Sequence, residues 1–185
     1  MLGTADNCTP IPKPQFSSES SLSFYCLNDE TPYIFLKSKI NEYIFTDQAL
    51  ILIERDNAAG VKQIINRYDW QTHRLSHVIF ETPGAGMTDY ACEIKFRLDN
   101  REWSIDIVKA EIATARMYYA VLIKLAREQL QYSLKLKRAE SVVASHMINA
   151  QINDKSIGQI ALDSAELLHT LVPISYKHVF QSLQD

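Results

Sequence analysis

Between residues 33 and 107, apolar and polar positions alternate in short runs broken by turn residues; directly afterwards the period lengthens to that of a helix. Residues 33–38 and 41–46 predict a hairpin. Asp47-Gln48 turns the chain into residues 49–55, where the run Leu50-Ile51-Leu52-Ile53 suits a strand buried on both faces. The stretch 56–60 is a turn. Residues 61–68 alternate again, and 75–82 form a further strand closed by Pro83-Gly84-Ala85-Gly86. The strands 90–98 and 102–107 follow, joined by Asp99-Asn100-Arg101 in the manner of a tight hairpin loop. About seven strands at turn spacings of roughly 8–12 residues predict a small antiparallel sandwich or barrel.

From Lys109 to about His146 there is no Gly or Pro, and good helix formers dominate. One uninterrupted helix of about 37 residues, roughly 55 Å long, is predicted. Ile112, Ala115, Tyr119, Leu122, Ile123, Ala126, Leu130 and Leu134 fall on one apolar stripe. Tyr118, Val121, Leu125, Tyr132, Leu136 and Val143 fall on a second, read as nearly opposite the first. Two stripes call for two partners, the sheet on one side and the C-terminal helices or another subunit on the other. After a break at 151–155, Ser156 and Gln159 form a capping-box pattern, with Asp154 as the other N-cap candidate. Ile157, Ile160, Ala161, Leu168, Leu171 and Val172 mark an amphipathic helix that ends before Pro173, so an α-helical hairpin is predicted after the domain. A last short helix is predicted at 174–183. Residues 1–29, rich in Ser, Pro, Asn and Thr, read as a polar, partly disordered arm with a short ordered piece around 22–27.

Composition changes this picture little. Of 185 residues, 46% are hydrophobic, enough for a packed core, and the net charge of −3 argues against a nucleic-acid partner. No apolar run approaches about 18 residues, and the N-terminus lacks the basic and apolar regions of a signal peptide. Cys8, Cys26 and Cys92 have no metal-type spacing and read as reduced thiols of a cytoplasmic protein. His73 and His77 are four apart but fall in a turn and at a strand start, so they do not form a helical zinc pair. Pro83-Gly84-Ala85-Gly86 lacks the ending of a phosphate-binding loop, and no Ser sits in a nucleophile elbow. No catalytic residue, metal site or cofactor is predicted.

Phe45-Thr46-Asp47-Gln48-Ala49-Leu50-Ile51-Leu52 resembles the second and third strands of the bacterial pleckstrin-homology (PH) domain. Leu75-Ser76-His77-Val78-Ile79-Phe80-Glu81-Thr82-Pro83-Gly84 resembles a later strand of that family, and Glu93-Ile94-Lys95-Phe96 and Trp103-Ser104-Ile105 its last two. The resemblance covers residues 30–127, and residues 128–185 form a helical extension. It implies an α+β, mainly β, PH-like barrel of about seven antiparallel strands. These would lie in two nearly orthogonal sheets capped by a long C-terminal helix. It also implies a family without established enzymatic activity whose members form homo-oligomeric rings, some through a helical hairpin after the domain.

The function expected is therefore a non-enzymatic scaffold that self-associates through its C-terminal helices, with Leu130, Leu134, Leu136, Ile160, Leu168 and Leu171 at the interface. The alternatives are a peripheral membrane or phospholipid-headgroup module and a peptide- or protein-recognition module. Eukaryotic domains of this fold often bind phosphoinositides through basic residues around the first hairpin, where Lys37 and Lys39 stand here. Read plainly these are solvated charges at a strand end; on the second reading they contact an anionic ligand as point charges. Lys124, Arg127, Lys135, Lys137 and Arg138 likewise read first as a solvated face and second as a surface for an anionic membrane.

Overall fold

The alternating runs fold into two antiparallel sheets. The structure, a computed structural model, describes residues 6–56, 62–82, 84, 91–152 (side chains to 145) and 173–183. Strands β1 (Thr9–Pro10), β2 (Pro32–Lys37), β3 (Asn41–Thr46), β4 (Ala49–Arg55) and β5 (Gln63–Asp69) lie side by side in that order. Strands β6 (Leu75–Glu81), β7 (Cys92–Leu98) and β8 (Arg101–Ile107) form the second sheet. The seven predicted strands correspond to β2–β8. On β7 and β8, Cys92, Ile94, Phe96, Leu98, Trp103, Ile105 and Ile107 are buried while Lys95, Arg97, Glu102 and Ser104 face outward, the alternation of a half-buried sheet. Between them, the loop Asp99-Asn100 holds Asp99 at φ 54°, a left-handed conformation that a short polar side chain tolerates.

The N-terminal segment departs from the expected arm. Cys8 accepts from Val108 N–H at 3.0 Å and donates to the Asp106 carbonyl at 2.7 Å, while Thr9 and Pro10 pair with Lys37 and Leu36. These three residues thereby stitch the two sheets together along one corner. The chain then crosses the outer face of β2–β4 as a 3₁₀ turn (Lys13–Ser18) and a one-turn helix, α1 (Ser20–Tyr25). Leu22 packs with Phe35, Ile44, Ile51 and Ile53 in a second small core, flanked by Ile11, Phe16, Tyr25 and Cys26. Both-face burial of β4 thus comes from this cover. A helix this short has no stability of its own. Removing each large apolar side chain from water contributes about 1.5–3 kcal/mol, and that holds the cover down. The prolines that suggested a mobile arm are accommodated because β1 is only two residues long and Pro14 sits at the start of the 3₁₀ turn.

The long helix, α2 (Ile112–Ile152), is one continuous element of 41 residues, about 60 Å long. Its two apolar stripes are corrected by the structure. Ala115, Tyr118, Val121, Leu122 and Leu125 are all buried against the barrel, so members of both stripes merge into a single wide arc. At 100° per residue the two stripes lie about 120° apart, not opposite, and one curved sheet covers the sector between them.

Residues 173–183 return to the barrel. The helical turn Lys177–Phe180 and the 3₁₀ turn Gln181–Leu183 occupy the predicted last helix. Tyr176, Val179 and Phe180 are buried in the main core, with Phe180 stacked on Tyr33 at 5.1 Å and Tyr176 edge-on to Tyr132 at 6.1 Å. Ser175 Oγ donates to Asp47 at 2.5 Å and Tyr176 N–H to the Asp47 carbonyl at 2.8 Å. The predicted helix carrying Ile160, Leu168 and Leu171 lies outside the described residues. Because Phe180 is fully buried, Phe180→Ala is expected to lower the unfolding free energy by about 3–5 kcal/mol in urea denaturation.

Candidate functional site

The last fully docked residue of α2 is Gln129. Its Nε2 donates to the carbonyls of Trp70 (3.1 Å) and His73 (3.0 Å), and its Oε1 accepts from Leu75 N–H (2.8 Å). One side chain thus satisfies three backbone groups of the β5–β6 connection. It fixes both the rotation of the helix and the point where it leaves the barrel. The sequence signal for Gln129 is a polar residue falling on the buried arc, four positions after Leu125, where the apolar stripes leave a gap.

With the helix so fixed, the predicted interface leucines separate. Leu130 and Leu134 are 39% and 49% exposed and stand one turn apart on the same side. Leu130 joins Ile123, Ala126 and Arg127 on one wall of a shallow groove of about 220 Å³, with Arg74, Leu75, Ser76, His77 and Val78 on the other. β6 bulges there between Ser76 and Ile79, and His77 takes φ 50°. Leu136 lies about 120° away round the helix. It lines a separate pocket with Trp70, Tyr132 and Tyr176, so its surroundings belong to the same chain. The basic residues Lys124, Arg127, Lys135, Lys137 and Arg138 are exposed along the helix.

The first hairpin does not present free charge. Lys37 Nζ is 2.8 Å from Glu19 and 3.7 Å from the buried Glu42, which is also paired with Arg55. At the hairpin turn Asp6 accepts from the backbone N–H of Lys39 (3.1 Å), the Ser38 hydroxyl (2.5 Å) and the Asn41 amide (3.3 Å). A carboxylate therefore occupies the donors that an anionic ligand at this hairpin would need. Lys39 itself is exposed.

The histidine pair is split. His73 Nδ1 contacts Asp99 Oδ2 at 2.7 Å, whereas His77 sits in the β6 bulge beside Ser76. Burial works to raise the Asp99 carboxyl, but the Arg74 N–H and the His73 ring outweigh it and hold it below its ordinary range. Burial also pushes the Cys8 thiol up to about 12, with Asp6 adding to the effect. Burial likewise pushes the Cys26 thiol up to about 11, helped by Glu30, so both stay protonated near neutrality.

Residues 6–126, from the corner-stitching segment through the docked half of α2, match the bacterial PH domain family. The chain belongs to that family. A relative is the uncharacterized protein YvbH of Bacillus subtilis (strain 168), 30% identical over 141 residues, covering 75% of this chain and 68% of that protein. Among solved structures, a PH-domain-containing protein of Exiguobacterium sibiricum 255-15 shares the fold with a TM-score of 0.80. It is 23% identical and covers 97% of this chain and 100% of its own. A pleckstrin-homology protein of Shewanella loihica PV-4 aligns at a TM-score of 0.49 and 16% identity, over 65% of this chain and 97% of that one. The PH family match begins at residue 6, where the sequence reading placed the polar arm. The stitching by Cys8–Pro10 gives that earlier boundary a physical basis.

Two outcomes follow from the site. Gln129→Leu leaves the Leu75 N–H and two carbonyls without partners, and unfolding free energy is expected to fall by at least about 2 kcal/mol in denaturant titration. Asp99 has a depressed folded-state pKa, so its stabilising contribution is present above the ordinary carboxyl value of 3.8 and lost as pH falls through the lower folded value. Asp99→Asn is therefore expected to flatten the decline in the urea midpoint between about pH 4 and pH 2, with the wild type and variant converging at the acid end.

Proposed function

We propose that this bacterial PH-domain chain is a non-catalytic scaffold that self-associates along α2, with Leu130 and Leu134 at the centre of the contact. The observation that supports it is the exposure of these two leucines, at 39% and 49%, on a helix that continues 23 residues from Leu130 to Ile152 past Gln129, with Tyr132 and Leu136 on its other side turned to the C-terminal segment. That stretch is about 35 Å long, far more than is needed to close a barrel corner. Burying each leucine in a partner contributes about 1.5–3 kcal/mol. In a two-fold arrangement the same pair acts from both sides. A specific interface removes about 800 Å² per subunit. The contact accordingly extends from the leucines onto the β6 wall of the groove, and Ile160, Leu168 and Leu171 are the further apolar contributors along the chain.

Two features weigh against the headgroup-binding alternative. Lys37 is held by Glu19 and Glu42, and Asp6 occupies the hairpin amides.

Light scattering on the eluting protein tests the proposal. The wild type is expected at a multiple of 21.1 kDa, and the double variant Leu130→Glu/Leu134→Glu at the single-chain mass with an unchanged circular dichroism spectrum. A wild type that runs as a single chain at micromolar concentration, or a double variant that keeps its assembled mass, refutes it.

A further inference from the structure

Beside the point where Gln129 holds α2, the β5–β6 connection and the β7–β8 turn frame an open cavity of about 490 Å³. This lies within the roughly 300–1,000 Å³ typical of small-ligand clefts. Its walls are planar groups. Tyr68 meets Trp103 edge-to-face at 5.5 Å and His73 at 5.3 Å, and the Arg101 guanidinium lies over the Trp103 ring at 4.2 Å.

The charge balance is one-sided. The carboxylate lining the cavity, Asp99, has both oxygens engaged, Oδ1 by the Arg74 N–H at 2.8 Å and Oδ2 by His73 at 2.7 Å. Arg101, by contrast, has no carboxylate partner among the described residues and rests on the indole face. The cations of a second cavity that Trp103 also lines are paired, Arg97 with Glu102 and Lys95 with Glu81 and Glu93. Trp103 lines both cavities, is 8% exposed, and its indole N–H is buried without an acceptor among the described residues.

From the stacked guanidinium and this aromatic wall we infer that the barrel mouth is a binding site for a planar apolar group carrying a carboxylate. The flat group lies in the cavity against the outer surface of the Tyr68–Trp103 pair, and the carboxylate takes the outer guanidinium donors of Arg101. Stacking on Trp103 presents those donors edge-outward, which suits a two-point grip on a carboxylate. The same chemistry is carried by a free aromatic acid and by the C-terminal aromatic residue of a peptide.

Nitrogen–proton correlation spectra of the ¹⁵N-labelled full chain test the inference. The chain has two tryptophans, and Trp70, whose indole N–H is bonded to the Thr46 carbonyl at 3.0 Å, serves as the internal control. The probes are benzoate, N-acetylphenylalanine and the uncharged benzyl alcohol. The acids are expected to shift the Trp103 indole signal saturably at millimolar concentration while Trp70 stays in place, and benzyl alcohol to bind at least about tenfold more weakly. Arg101→Gln, a change at an exposed position, is expected to bring benzoate down to the level of benzyl alcohol. Preference for N-acetylphenylalanine over benzoate supports a chain terminus as the natural source; the reverse supports a free acid. A motionless Trp103 signal, equal binding of benzoate and benzyl alcohol to the wild type, or undiminished benzoate binding by Arg101→Gln overturns the inference.

Discussion

A single amide side chain decides what this molecule shows to its surroundings. Gln129 bonds three backbone groups of the connection between the sheets, and no other rotation of α2 preserves all three bonds. Rotating the helix by one residue, about 100°, would bury Leu130 in place of Gln129 and strand the Leu75 N–H and the carbonyls of Trp70 and His73. Hydrophobic burial alone does not fix rotation so well, because Tyr118, Val121, Leu122 and Leu125 form a wide arc on which neighbouring settings compete. The polar clamp resolves that degeneracy.

The barrel is held together by segments remote from it in sequence. Cys8–Pro10 join β2 to β8, and Phe180 and Tyr176 fill the core beside Tyr33 and Tyr132. Lys13 Nζ donates to the Leu183 carbonyl at 2.8 Å, so the N-terminal cover and the C-terminal plug also meet. Beneath the cover, Glu30 is fully buried and accepts from Arg67 at 2.8 Å and from Leu27 N–H at 2.9 Å. A buried pair of this kind is satisfied by geometry more than it is stabilising, and it fixes where the arm enters β2.

The strands were legible because their alternation is a local property. Leu50-Ile51-Leu52-Ile53 announced a strand covered on both faces, and the structure provides the cover. What provides it was not legible. Ile11, Phe16 and Leu22 are too widely spaced to carry a period, and the prolines between them pointed to disorder. The helix was legible in extent but not in facing: its stripes were read as opposite when the sector between them was the buried one. At the first hairpin, Lys37 and Lys39 could be located by sequence, but Glu42, Glu19 and Asp6 neutralise that region from other elements or across the hairpin. The mouth around Trp103 escaped notice because Tyr68, His73 and Arg101 converge only through tertiary structure.

Stacking of Tyr33 on Phe180 joins two rings 147 positions apart in the chain. During vectorial synthesis the first hairpin would therefore emerge long before the ring that completes its core. The loop to be closed is very long, and contacts of such high sequence separation form late and slowly. Until residue 180 clears the ribosome, the hydrophobic pocket around Tyr33 remains open to solvent. Transiently exposed apolar surface of this kind is what makes an unfinished domain prone to aggregate.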